Sequence, residues 1–337
     1  METKERIEKW DYLKFVLIFL VVLGHIANFY VDKSSMMRMV FIFIYTFHMP
    51  LFVFLSGMFA KRNINEKKYS KIFSFLILYF VIKIIMCIGN MLILDTFAFS
   101  VFYESEAPWY AMAIFLQCLI TIALSRFSKR YVLIASIVFG CIIGLDSSFT
   151  DFMALSRTVV YYPFFFMGYC IEPEKISKIL NKKIMKISAV ITLILLAVLL
   201  ILKIDEIYWI RSILTGRNPY SVLGDRIKYG VIIRFIYYMI VTFIGAGIIS
   251  LIPDKINHKI GQWMAGMGQR TLQIYALHFV IIKIFVYIIP IYDWMKKILP
   301  GYTMLYVFPL ALIITAFCGL KCFTRAFHTL VFPKIKV

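Results

Sequence analysis

The sequence predicts an all-α polytopic integral membrane protein of about ten transmembrane helices, and three observations carry that prediction. Of its 337 residues, 62% are hydrophobic and only 16% are charged. Apolar stretches close to the ~20 residues needed to cross a ~30 Å hydrocarbon layer recur along the whole chain. Lysine and arginine gather in alternate loops between them.

Taken in order, the apolar segments fall at 12–31, 37–60, 72–94, 107–124, 131–145, 158–172, 184–203, 227–252, 271–290 and 303–320. The first follows a short basic stretch, as a secretory signal would. Its run from Tyr12 to Val31 is too long and has no small-residue cleavage site, so it is expected to stay as the first membrane helix. The segments at 131–145 and 158–172 are short for full spans. With the N-terminus inside, the inner segments (from Lys4, Arg6 and Lys9 to Lys321, Arg325, Lys334 and Lys336) hold more than twice the Lys and Arg of the outer ones. Both termini are therefore predicted cytoplasmic. Acidic residues lean the other way, to Asp32, Asp95, Glu104, Glu106, Asp146, Asp151, Asp205, Glu206, Asp225 and Asp293 in the outer loops. Pro50, Pro163 and Pro290 sit within or at the ends of spans, where proline either breaks a helix beside a cavity or is tolerated for packing alone. No linker, low-complexity run or soluble domain interrupts the pattern, so residues 1–337 read as one membrane domain with spans from about 12 to 320.

The formal charge of +19 would suggest nucleic acid in a soluble protein. Here the cytoplasmic-loop bias explains it, and no nucleic-acid partner is expected. The six cysteines (Cys87, Cys118, Cys141, Cys170, Cys318 and Cys322) lie in apolar segments without C-x-x-C spacing or a histidine cluster. No metal site is expected.

An ionisable residue near the bilayer centre costs roughly 3 kcal/mol on insertion scales, so each is a functional hypothesis by default. His25, His48 and His278 all fall at central depth; the blander reading of any one is a hydrogen bond between helices. Lys83, Arg234 and Lys283 are also within spans, whereas no Asp or Glu is. A cavity lined by unpaired cations would suit an anionic ligand such as phosphate, while snorkelling is the plainer alternative. Lys14 and His25 are eleven residues apart, three turns plus about 20°, and so share one helix face along about 16 Å. A ligand with an anionic head and a reactive tail fits that stripe, and acyl-coenzyme A has this shape. Acyl transfer to a hydroxyl needs a general base, and desolvation disfavours the imidazolium, leaving a neutral imidazole available. No G-x-S-x-G nucleophile motif is present, which favours direct base-assisted attack over an acyl-enzyme on Ser56.

These residues resemble the membrane acyltransferase-3 family, in particular its fucose 4-O-acetylase-like branch. The stretch WDYLKFVLIFLVVLGH, with Lys14 and His25, is similar to the family's opening signature. FHMPLFVFLSGMF (47–59) is similar to its second-helix block, with His48, Pro50, Ser56 and Gly57. PWYAMAIF (108–115) carries Trp109, SRTVVYYPFFFMGY (156–169) carries Arg157, and TLQIYALH (271–278) closes with Tyr275 and His278. The resemblance implies transfer of an acetyl or other short acyl group from cytoplasmic acyl-CoA (acetyl-CoA as donor) to a carbohydrate at a bacterial plasma membrane. The acceptor class is a capsule, exopolysaccharide or other envelope glycan, free or lipid-linked, with a glycan-assembly complex as a candidate partner. It implies a catalytic His25 and an essential Lys14. Donor binding is assigned to Lys14, Lys61, Arg62 and Lys83, although the Arg-x-x-Arg motif of some relatives is absent from the 61–71 loop. A lysine at position 14 gives up planar bidentate phosphate recognition. His48, Ser56, Trp109, Arg157, Tyr275 and His278 are assigned to the supporting or acceptor site. Relatives with an appended extracytoplasmic domain pass the acyl group onward; without one, direct acylation of the acceptor is expected. The rival class is a transporter or flippase of a lipid-linked sugar or anion.

Overall fold

The computed structural model describes residues 8–97, 99–104 and 106–331. The chain ends, with Lys4, Arg6, Lys334 and Lys336, lie outside the described residues, and so does the cytoplasmic placement expected of them. The helices in chain order are α1 Glu8–Tyr30, α2 Ser35–Asn65, α3 Tyr69–Leu94, α4 Trp109–Ala123, α5 Lys129–Ile142, α6 Leu155–Cys170, α7 Pro173–Leu180, α8 Lys183–Ile207, α9 Arg211–Leu214, α10 Gly230–Leu251, α11 Lys259–Gly268, α12 Thr271–Lys283, α13 Ile291–Ile298, α14 Thr303–Cys318 and α15 Lys321–Val331. Among the described residues the only β pairing is an isolated bridge between Tyr103 and Phe152.

Among the described residues, seven helical stretches are long and apolar enough to cross a membrane, or eight if α14 and α15, bent by 60°, count as one. The short segments expected at 131–145 and 158–172 form α5 and α6, of 14 and 16 residues. Neither reaches the length of a full span.

Polar contacts sort the helix ends into two groups. At one end Lys9 Nζ, fully buried, donates to Ser177 Oγ at 3.0 Å and pairs with Asp254 at 2.9 Å. Lys61 faces Glu172 at 3.8 Å at this same end. At the other end Lys33 pairs with Asp293 at 3.2 Å and Arg38 with Asp205 at 2.5 Å. These are called the Lys9 end and the Lys33 end below.

α1 runs between the two ends through the middle of the bundle, against α2, α11, α12 and α14. Leu13, Leu17, Ile18 and Val22 on it are all but inaccessible. By contrast α8 leaves Ile187, Ile191, Ile194, Leu195, Ile201 and Leu202 exposed, as a lipid-facing helix does. α2 starts at Ser34, whose hydroxyl accepts from the Met37 N–H, and continues unbroken through Pro50. α6 likewise continues through Pro163, whereas Pro290 caps α13. α2 and α6 cross closely because glycines lie at the contact. A Cβ at Gly57 would strike the Phe165 carbonyl oxygen, and one at Gly168 the Phe54 carbonyl oxygen. Small residues let membrane helices approach backbone to backbone in this way.

Candidate active site

His25 is partly accessible although it sits deep in α1. Its ring lies 5.3 Å from that of His278 and 5.1 Å, edge-on, from Phe279, both on α12. His48 and Arg157 lie within electrostatic range of it. Three of the residues named from sequence are thus gathered around His25.

Backbone carbonyls set the tautomers of the other two histidines. His278 Nδ1 lies 2.9 Å from the Tyr275 carbonyl and 3.1 Å from that of Ile274. A carbonyl oxygen can only accept, so Nδ1 carries the proton and Nε2 presents a bare lone pair. That Nε2 is buried without a hydrogen-bond partner among the described residues. His48 Nδ1 donates in the same way to the Ile44 carbonyl at 2.8 Å.

The supporting residues form a chain of contacts. Ser56 Oγ donates to the Phe52 carbonyl at 2.9 Å and meets the Tyr110 hydroxyl at 2.5 Å. The Tyr110 ring is 5.3 Å from Tyr275, and Tyr275 is 6.0 Å from His278. With its proton committed to a backbone carbonyl and a tyrosine beside it, Ser56 lacks the adjacent base that a serine nucleophile needs. The Tyr275 hydroxyl donates to the Ala107 carbonyl. Arg157 lies 5.0 Å over the Trp109 ring, pairs with Asp151 at 3.4 Å and donates to the Glu104 carbonyl at 3.3 Å. Trp109 also packs on Tyr161 at 5.5 Å, inside the bundle rather than at its rim.

The donor-side residues fall into two places. Lys14 Nζ is 3.4 Å from Asp11 and 4.0 Å from the Phe59 ring, at the Lys9 end. Lys61 is at that end too, and Arg62 is exposed, 2.9 Å from Glu66. Lys83 is not brought together with them. It points to the Lys33 end, 2.9 Å from Glu104 and 3.0 Å from the Tyr103 carbonyl. The stripe from Lys14 to His25 is packed, and the void beside Ile18 and Val21 on it, bounded by Met49, Phe52, Tyr110 and Tyr275, holds about 10 Å³. That is about the space of one water.

The expectation of unpaired cations at membrane depth needs correction. Lys83 faces Glu104, and Lys283 lies 3.3 Å from Glu106 and 2.7 Å from Asn90. The partners come from the segment between α3 and α4, folded back onto the helices, so a search for acids within spans misses them. Their signal was present as two acids, Glu104 and Glu106, just ahead of the Pro108–Trp109 block. Burial pushes the Glu104 carboxyl up, while the hydrogen bond and charge of Lys83 hold it partly back. Arg234, the third cation, is buried and donates to the Ile213 carbonyl at 2.7 Å. No group of three His, Cys, Asp or Glu residues suited to a metal occurs among the described residues.

An all-helical chain with at least seven membrane-length helices, and with histidines meeting between α1 and α12, defines a multi-pass membrane protein with a buried polar centre. The profile of the acyltransferase-3 family, described as an acyltransferase domain, matches residues 7–321. The chain belongs to this family and is a membrane acyltransferase. No curated protein and no solved structure gives a significant match.

Proposed function

We propose that the protein moves an acetyl or other short acyl group from acyl-CoA, bound at the Lys9 end, to a hydroxyl of an envelope carbohydrate reached from the Lys33 end, with His25 as general base. The observation that carries this reading is the His25–His278 contact between α1 and α12, inside the helix bundle. His25 makes no hydrogen bond among the described residues and keeps partial access, so its imidazole is available to a reactant. Beside it His278 presents an acceptor nitrogen that can take the His25 N–H and leave the other ring nitrogen as the base.

In the proposed step the imidazole removes the acceptor hydroxyl proton as that oxygen attacks the thioester carbon. The tetrahedral oxyanion collapses, the C–S bond breaks, and the imidazolium returns its proton to the CoA thiolate. Arg157, buried and near His25, is the cation suited to the oxyanion. Lys14, with Lys61 and Arg62, serves the donor phosphates at the Lys9 end. The packed stripe between Lys14 and His25 must part for a pantetheine arm to pass. The paired state of Lys83 and Lys283 removes the main argument for an anion transporter.

The test is acyl transfer by purified, reconstituted protein from radiolabelled acetyl-CoA to surface glycan from a deletion strain. His25→Ala should keep the protein folded and inserted while lowering transfer roughly 10²–10⁴-fold, as loss of a general base does. Glycan that stays fully acetylated in the deletion strain, or transfer unaffected by His25→Ala, would overturn the reading.

A further inference from the structure

A cavity of about 720 Å³ lies at the Lys33 end, walled by α3, by described residues between Phe97 and Pro108, and by Asp151. Its size is that of a small-molecule site. Asn90, Phe99, Tyr103, Glu104, Glu106 and Asp151 are in its wall. Its wall is bonded by a residue of the helix that carries His278. Lys283, which bonds Asn90 and Glu106, is five residues beyond His278 on α12, about 7.5 Å along the axis. Its ammonium also lies 4.8 Å over the Phe279 ring, the ring that meets His25 edge-on. The cavity's wall is tied to the centre at two further points, by Arg157 on the Glu104 carbonyl and Tyr275 on the Ala107 carbonyl.

Every cation named at this cavity already faces a carboxylate, with Asp151 shared between two arginines. Lys83 is matched by Glu104, Lys283 by Glu106, and Arg157 and Arg217 by Asp151. A phosphate or carboxylate arriving here would have to displace carboxylates already in place. A hydroxyl would instead donate to them, and the ion pairs hold those oxygens in fixed positions beforehand. Tyr103 and Phe99 expose 62% and 43% of their surface, so their rings can stack on the C–H face of a pyranose.

We propose that this cavity is the acceptor subsite and that it takes an uncharged, hydroxyl-rich saccharide, gripped by Asn90, Glu104 and Glu106 and stacked on Tyr103. This rests on the acyl-transfer reading above for its role in a reaction, but not for the binding itself. Binding of the full-length protein in nanodiscs to an array of neutral, uronic-acid and phosphate-bearing oligosaccharides tests it. Neutral glycans should be retained in preference, and Glu106→Gln and Asn90→Ala should each weaken their binding at least tenfold. Tyr103→Ala, at an exposed position, should weaken it without disturbing the fold. Retention of no neutral glycan, preference for the anionic ones, or binding as tight as wild type by Glu106→Gln and Tyr103→Ala would overturn the proposal. Glu106-dependent binding without any CoA release would leave the subsite standing and remove the acyl-transfer reading. CoA release driven by anionic glycans would do the reverse.

Discussion

His278 illustrates how a single backbone contact fixes chemical role. A histidine in an apolar run is ambiguous in sequence, because the proton can sit on either nitrogen. The Ile274 and Tyr275 carbonyls remove that ambiguity and leave Nε2 aimed outward from its own helix as an acceptor. His278→Ala should therefore lower kcat by roughly tenfold or more, part of the ~10²–10⁴-fold that a positioned base supplies, with acyl-CoA affinity little changed. Equal loss of affinity and kcat would instead indicate collapse of the site. At this scale the stripe from Lys14 to His25 was legible, since helix periodicity alone places both on one face. The partners of Lys83 and Lys283 were not, because pairing between a helix and a folded-back loop has no fixed sequence spacing.

Among the helices, the α2–α6 crossing is the joint on which the site depends. α2 carries His48 and Ser56, and α6 carries Arg157. Gly57 and Gly168 meet the opposing backbone, so an added methyl group cannot be absorbed by turning a side chain. Gly57→Ala should destabilise the protein by about 1–3 kcal/mol or more, as overpacking does. The comparison is Gly245→Ala in α10, where the new Cβ would meet only Leu51 at 3.7 Å. That change should be neutral or gain up to ~1 kcal/mol from helix propensity. Thermal unfolding in detergent distinguishes the two. The sequence showed Gly57 and Gly168 as motif letters; only their mutual position shows that they are points of contact. The lengths of α5 and α6 were legible as short, and at 14 and 16 residues neither spans a bilayer alone.

Across the whole molecule, the two ends differ in how they are fastened. The Lys9 end is closed by a staple in which Asp254 accepts from Lys9, Ser177 and Asn181. Burial pushes the Asp254 carboxyl up, but the hydrogen bonds from Ser177 and Lys9 outweigh this and hold it below its ordinary value. A carboxyl lowered in the folded state stabilises above its unfolded pKa and loses that contribution as pH falls through the folded one. Asp254→Asn should thus lower Tm at neutral pH, with a gap that closes in strong acid. The effect should be modest, since the Asp254 side chain is 41% exposed. Single cysteines at Glu66 and Asp293, in an otherwise cysteine-free background, should differ towards a membrane-impermeant thiol reagent, Asp293→Cys reacting in intact cells and Glu66→Cys only after permeabilisation. Labelling of both from one face would refute the assignment of a donor end and an acceptor end.

Sequence alone determined that this is a helical membrane protein of the acyltransferase-3 family, because apolar length, loop charge and motif order are local or nearly local properties. It also tied Lys14 to His25, because both ride on one helix. The meeting of His25 with His278, the neutralisation of Lys83 and Lys283, and the cavity at the Lys33 end were decided by tertiary structure. Each requires segments far apart in the chain to converge, and helix packing and loop return set those distances.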